Sequence, residues 1–124
     1  METILLIESE PADLVVQALI LRSFGYNVLE TANASEAMHA CDGYPGPIHL
    51  VFARDGPGEE VAAQLTRRFP QICLLLMSEA RREKLGGEHS HQCGCAFLVK
   101  PFRVQALAGA ISEMLGRQRL TTAA

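Results

Sequence analysis

Two oppositely charged residues, Arg54 and Asp55, stand side by side where an apolar run meets a Gly-Pro-Gly turn, in the stretch VFARDGPG (51–58). A carboxylate that faces a site can help to hold a divalent cation, whereas a guanidinium can pair with a neighbouring carboxylate. Successive residues of a strand point to opposite faces, so a regular strand turns only one of the two inward. The chemistry of this position therefore depends on which side chain faces the site.

Short apolar runs recur along the chain and predict five strands. They are TILLI (3–7), YNVLE (26–30), IHLVFA (48–53), ICLLLM (72–77) and AFLV (96–99). Four of these runs are nearly continuous rather than alternating, which is typical of strands buried on both faces of a parallel sheet.

The segments between the strands carry helix signals. Pro11 suits a first helical position and Gly25 a helix end, while Asn33 with Glu36 forms a capping box. The last helix is predicted to bury a stripe made of Val104, Leu107, Ala108, Ile111 and Leu115. Segment 79–94 is the weakest, because it has few apolar residues and two glycines in its middle, and we expect a short or mobile fourth helix there.

This alternation of strands and helices predicts an α/β fold with right-handed crossovers and three layers, α/β/α. Ligands of such sheets bind beyond the carboxyl ends of the strands, so the candidate residues are fixed by position. They are Glu8, Ser9 and Glu10 after the first strand, Arg54 and Asp55 after the third, Ser78 after the fourth, and Lys100 with Pro101 after the fifth. Glu10 has a simpler interpretation as a solvated residue at a strand-to-helix corner.

Bulk properties narrow the class of protein. The 124 residues, 48% of them hydrophobic, suit one domain, which we place at 1–118 with a loose tail at 119–124. A formal charge of −3 gives no general reason to bind nucleic acid or an anionic membrane. No apolar run approaches the length of a membrane span, so we expect a cytoplasmic protein with reduced thiols at its 4 cysteines.

The stretch HSHQCGC (89–95) places four potential zinc ligands, His89, His91, Cys93 and Cys95, within seven residues. Structural zinc sites usually space their ligands more widely, so the every-second-residue pattern leaves little chain to close a tetrahedron. A metal or redox sensor is therefore a weak hypothesis, and Cys95 also suits a small buried thiol beside the fifth strand.

Several motifs together resemble the response-regulator receiver domain, over residues 3 to about 116. They are ILLIESEP, FGYNVLETANASEAM, LLLMSEA and AFLVKPF, and the stretches GPIHLVFARDGPG and FLVKPF look most like receivers of hybrid sensor histidine kinases. The resemblance implies a flavodoxin-like, doubly wound, five-stranded parallel sheet in the order 2-1-3-4-5.

In that family, an aspartate at the end of strand 3 accepts a phosphoryl group from a histidine kinase, and two acids after strand 1 help to hold Mg²⁺. Matched by position, Ser78 is the family's hydroxyl, Lys100 its lysine and Phe97 its aromatic switch residue. Lys100-Pro101 is expected to be a cis peptide. Glu8 keeps the first acidic position, but Ser9 occupies the second. The phosphoacceptor position falls on Arg54.

Two arrangements of the site follow. If Arg54 faces inward, it pairs with Glu8, the carboxylate cluster is lost and the site needs no Mg²⁺ or other cofactor. If a bulge brings Asp55 inward, Mg²⁺ binding and phosphoryl transfer become feasible, although Ser9 weakens them. Strand alternation favours the first arrangement.

The first arrangement predicts a degenerate receiver, not an enzyme, that acts as a protein interaction module. Its partner would be a histidine kinase or an output domain, docked on the surface of the fourth helix, fifth strand and last helix. Receivers often pair through this surface, so a homodimer is a further expectation. The second arrangement predicts a working phosphoacceptor at Asp55.

Overall fold

The computed structural model describes residues 1–78 and 95–123 and shows five strands and four helices within them. The strands are β1 (Thr3–Ile7), β2 (Asn27–Thr31), β3 (Leu50–Arg54), β4 (Cys73–Ser78) and β5 (Cys95–Val99). The helices are α1 (Pro11–Ser23), α2 (Ala34–Gly43), α3 (Pro57–Leu65) and α4 (Val104–Ala123). The predicted fourth helix at 79–94 lies outside the described residues, so α4 is the helix predicted as the last.

All strand pairs are parallel, and the sheet order is β2-β1-β3-β4-β5. This confirms the predicted flavodoxin-like topology. β2 lies on one side of β1, and the chain then continues on the other side with β3. The carboxyl ends of β1 and β3 therefore lie side by side near the centre of the sheet. The residues that follow these two strands are therefore brought together.

The sheet buries both of its faces, which explains why the strand sequences are continuously apolar. One face, with Leu6, Phe52 and Met77, packs against α1 and α4. The opposite face, with Ile7 and Ala53, packs against α2 and α3. Alternate residues of each strand thus belong to different halves of the core, and a one-residue slip would exchange them.

Helix ends follow the sequence signals. The Asn33 side chain accepts a hydrogen bond from the Glu36 backbone N–H at 2.8 Å, and the Glu36 carboxylate accepts one from the Ala32 N–H at 2.9 Å. Gly25 after α1 has φ 96°, a conformation that favours glycine. These features fix the end of α1 and the start of α2.

Several predicted details differ from the structure. The bounds of β1 are as predicted, those of the other strands shift by one or two residues, and β3 begins at Leu50 rather than at Ile48. Val104 is 48% exposed, so it does not belong to the buried stripe of the last helix, whereas Met114 does. The backbone stays helical to Ala123, through most of the segment expected to be a loose tail.

The cysteines also differ from expectation. Cys41 and Cys95 are free thiols, as predicted, but Cys73 is disulfide-bonded, so the prediction of reduced thiols is wrong for that residue. Within the described part of the chain, no helix is both long and apolar enough to cross a membrane.

Candidate functional site

The centre of the carboxyl edge of the sheet holds an ion pair between Arg54 and Glu8. Arg54 Nη2 lies 3.6 Å from Glu8 Oε2; the Glu8 side chain is 1% exposed and the Arg54 side chain 42%. The acid is thus buried, and the guanidinium covers it from the solvent side. This is the geometry of the first arrangement considered from the sequence.

The strand register explains the pairing. Leu6 lies opposite Phe52 and Ile7 opposite Ala53, so Glu8 and Arg54 are the next pair along β1 and β3. Both continue the alternation of Leu6 and Phe52, which face α1. No bulge interrupts β3, and Arg54 itself pairs with Met77 of β4. Regular strand geometry is therefore sufficient to turn Arg54 towards Glu8.

Two further donors hold the Glu8 carboxylate. The Gln17 side chain donates from Nε2 to Glu8 Oε1 at 3.1 Å, and the Glu10 backbone N–H donates to Glu8 Oε2 at 3.1 Å. A buried carboxylate is costly unless it is paired and hydrogen-bonded, and Glu8 meets both conditions. The Glu10 side chain itself is exposed, in agreement with its interpretation as a corner residue.

Gln17 is the site residue that the sequence interpretation missed. Its side chain is buried beneath Glu8, its Nε2 also lies 3.6 Å from Met77 Sδ, and its Oε1 has no hydrogen-bond partner. The signal was present in the sequence, because Gln17 continues the helical stripe of Leu14, Ala18 and Leu21. A polar residue on an apolar helix face indicates a buried polar partner.

Asp55 lies in the turn that follows β3 and is partly exposed. Its backbone N–H donates to the Met77 carbonyl at 3.0 Å, which continues the β3–β4 ladder by one residue. Gly56 then takes φ 95° and leads into α3. The turn is tight because a Cβ on Gly58 would lie 2.5 Å from the Leu76 side chain, so only glycine allows α3 to begin this close to the sheet.

The remaining candidates border the same edge. Ser78 is buried at the end of β4, and its carbonyl accepts a hydrogen bond from the Lys100 backbone N–H at 2.8 Å. Phe97 packs against the half of the core that lies between the sheet and helices α2 and α3. The Lys100-Pro101 bond is cis, as expected from the motif. The structure thus brings Glu8, Arg54, Ser78 and Lys100 to neighbouring strand ends, as the sequence predicts.

The groups around Glu8 do not form a suitable set of ligands for a magnesium ion. Mg²⁺ is held mainly through carboxylates and water, yet the Glu8 carboxylate already accepts two hydrogen bonds and faces a guanidinium. Ser9, which stands at the second acidic position of the family motif, is exposed and offers only a hydroxyl. A divalent ion at Glu8 would require Arg54 to move away.

The predicted zinc ligands His89, His91 and Cys93 lie outside the described residues. Cys95 begins β5 and is half-buried; burial, followed by the charge of Glu59, raises the pKa of its thiol to about 11. A thiol in this state carries little thiolate at neutral pH and is therefore a poor nucleophile. Across residues 1–78 and 95–123, no group of three or more His, Cys, Asp or Glu side chains is placed to hold a metal.

Comparisons with known proteins support the fold. No protein-family model matches the sequence. The chain is 29% identical over 122 residues to the sensor kinase CckA of Brucella abortus (strain 2308), which covers 94% of this chain but 13% of the kinase. A response-regulator receiver domain protein from Clostridium thermocellum superposes with a TM-score of 0.81 at 19% identity, covering 98% of this chain and 99% of that one.

A third comparison adds sequence similarity to the shared fold. The receiver domain of the hybrid histidine kinase CckA has a TM-score of 0.72 at 28% identity, and 91% of this chain matches 98% of that domain. The chain is therefore similar to response-regulator receiver domains in fold, and to the receiver of a hybrid histidine kinase in sequence as well. The predicted resemblance to receivers of hybrid histidine kinases is confirmed.

Proposed function

We propose that this receiver is a pseudo-receiver, which acts as a protein interaction module without a phosphorylation switch. The observation that supports this most is the Glu8–Arg54 ion pair, in which a cation takes the position of the phosphoacceptor and binds the remaining acid. Counting Lys100 as the second cation, these three side chains carry a net charge of about +1 rather than a cluster of negative charges. The module catalyses no reaction and needs no cofactor.

The ion pair also restricts the conformational response of the domain. A ligand changes a two-state equilibrium only through its different affinity for the two states. With Arg54 paired to Glu8, and Glu8 held by Gln17, neither Mg²⁺ nor a phosphoryl group bonded to a carboxylate gains new contacts here. The fold then presents one surface constantly, and partner binding is controlled by concentration rather than by phosphorylation.

Incubation with acetyl phosphate and Mg²⁺, followed by intact-mass measurement, tests this proposal. We expect the wild-type mass to stay unchanged, because no carboxylate is available at the phosphoacceptor position. A gain of one phosphoryl group that disappears in Asp55→Asn would overturn it. The double variant Ser9→Asp, Arg54→Asp serves as the positive control, because it restores both acids beside Glu8.

The second candidate function is a phosphorylatable receiver that uses Asp55 with Mg²⁺. One observation favours it: the Asp55 backbone is fixed to Met77 one residue beyond β3, so its carboxylate stays near the site. Phosphorylation of Asp55 would require the Arg54 guanidinium to leave Glu8. The same mass measurement separates the two candidates.

We propose a protein partner, either a histidine kinase or an output domain, and a cytoplasmic location. The curated relative is a sensor kinase of which this chain spans about an eighth, so a kinase is the first partner to test. The proposed docking surface consists of the predicted fourth helix in segment 79–94, β5 and α4. Val99 at the end of β5 is 41% exposed, and Val104 at the start of α4 is 48% exposed. These two exposed apolar side chains are available to a partner, including a second copy of the chain.

The surface can be tested by light scattering and by binding to a candidate kinase. Val99→Asp and Val104→Asp should each weaken association of the chain with itself or with the kinase. Val16→Asp is a matched control, because Val16 is 53% exposed on α1, which is not part of the proposed surface. Equal loss in all three variants would argue against the proposed surface.

A further inference from the structure

A cavity of about 480 Å³ opens beside Arg54. It lies between the turns that follow β1, β2 and β3, and its wall includes Ser9, Asn33, Ser35, Arg54 and Glu60. This cavity plays no part in the proposed interaction with a partner. Its size suits a small molecule; its lining is mainly apolar, and its polar side chains are the Arg54 guanidinium, the Asn33 amide, two serine hydroxyls and the Glu60 carboxylate.

Arg54 gives the cavity its chemistry. The guanidinium carries five N–H donors in a fixed fork, and the ion pair shown for it among the described residues is the 3.6 Å contact with Glu8. The side chain is 42% exposed and lines the cavity, so it can still donate to a ligand there. Arginine suits two oxygens of a phosphate or carboxylate group, which it binds with two parallel hydrogen bonds.

The surrounding side chains extend this donor set. Ser9 and Ser35 place exposed hydroxyls on the cavity wall. The side-chain oxygen of Asn33 accepts a hydrogen bond from the Glu36 backbone N–H. The side-chain NH₂ group of Asn33 therefore remains as a donor. Glu60 contributes the opposing charge, but it is exposed to solvent and therefore screened. A cation in the cavity would be repelled by the Arg54 guanidinium. The Glu8 carboxylate could not attract it, because that carboxylate is already hydrogen-bonded and paired with Arg54.

We propose that this cavity, which we call the Arg54 pocket, binds the phosphate or carboxylate group of a small molecule, reversibly and without Mg²⁺. The pocket replaces covalent phosphorylation with non-covalent anion binding at the same edge of the sheet. The inference goes beyond the proposed interaction function, because it rests on Arg54 and the cavity and not on any partner.

Titration of the isotope-labelled chain with inorganic phosphate and with acetate, in metal-free buffer, tests the proposal by NMR. We expect saturable shifts at Ser9, Ser35 and Arg54 with at least one of the two anions, and the tighter anion identifies the preferred chemistry. Chloride at equal ionic strength is the control. Absence of saturation with both anions, or shifts that chloride reproduces, would overturn the proposal.

Variants assign the binding to the pocket. Arg54→Gln should weaken binding by at least about tenfold, and Arg54→Lys should weaken it less while keeping a charge beside Glu8. Glu60→Gln should tighten binding by roughly two- to fivefold, as expected for removal of a solvent-screened like charge. Arg67→Gln is the matched control, because Arg67 is an exposed arginine away from the pocket.

Equal binding by wild type and by Arg54→Lys and Arg54→Gln would refute the role of Arg54. The result is separate from the phosphorylation test, because bound anion leaves on dilution whereas a phosphoryl group on Asp55 would add a covalent mass. Either proposal can therefore fail without the other.

Discussion

The charge at position 54 should prevent magnesium binding, and reversing it should restore that binding. In the double variant Ser9→Asp, Arg54→Asp, two carboxylates join Glu8, while Ser78 and Lys100 remain at neighbouring strand ends. Wild type should show no saturable binding of Mg²⁺ at millimolar concentrations and no beryllofluoride bonded to a carboxylate, whereas the double variant should show both.

The magnitude follows from the geometry of the ion pair. Separating unit charges that lie 3.6 Å apart costs about 5 kcal/mol at an effective dielectric near 20 and about 1 kcal/mol in bulk water. Glu8 is buried and Arg54 is partly exposed, so the cost falls between these limits. It corresponds to a loss of affinity between roughly fivefold and a few thousandfold. If Arg54 stays in place, repulsion of the divalent ion lowers the affinity further.

Calorimetry measures the affinity, and the chemical shifts of Glu8 and Ser78 locate the ion. The control is Arg67→Asp with Ser112→Asp, which changes the net charge equally at exposed positions elsewhere. This control should remain unable to bind. The reasoning is refuted if wild type binds Mg²⁺ as well as the double variant does, because Arg54 would then not occupy the site and Asp55 would become its central residue.

Three further predictions concern stability and reactivity. Arg54→Met should lower the free energy of unfolding by about 1 to 3 kcal/mol, because it leaves a buried carboxylate without its cation, and adding Glu8→Gln should recover part of that loss in a denaturant double-mutant cycle. Gly58→Ala should cost about 1 to 3 kcal/mol because the new methyl would lie 2.5 Å from a buried leucine, whereas Gly109→Ala, which meets nothing within 4 Å, should stabilise the last helix; urea unfolding of both variants checks this. Burial raises the pKa of Cys95 from 9.0 to about 11, so the unfolded chain loses its proton first and stability should fall between those pH values; a Cys95→Ala variant that keeps the same loss would contradict this.

The sheet was predictable because the strands are buried on both faces. Continuous apolar runs such as ICLLLM identify parallel strands, and helices between them restrict the order and handedness of the sheet. The direction of Arg54 was predictable for the same reason. Phe52 and Ala53 must enter opposite halves of the core, which fixes the face of the next residue.

Other features depend on tertiary contacts that sequence periodicity does not contain. The sequence shows Gln17 as a polar residue on the apolar face of α1, but its partner is defined only when α1 packs against Glu8. Val104 fits the helical stripe, yet it stands in the first turn, before the helix reaches the core that buries Leu107. Periodicity assigns a helix an apolar face, but it does not determine how far along its length that face is covered.

The Arg54 pocket was also beyond the reach of the sequence. Its wall comes from turns after three strands, and the distance in sequence from Ser9 to Glu60 hides their proximity. The sequence did predict that these turns meet at one edge of the sheet. The volume between them follows from how closely α2 and α3 approach the strand ends, which the packing of side chains such as Leu76 against Gly58 determines.

A crystal structure grown with Mg²⁺ and beryllofluoride would test the central claim most directly, because it shows which side chain occupies the phosphoacceptor position. We predict the Arg54 guanidinium against Glu8, with no beryllofluoride on Asp55 and no metal ion between the two strand ends. Beryllofluoride on Asp55 and Mg²⁺ bound to Glu8, with Arg54 turned out to solvent, would contradict the account.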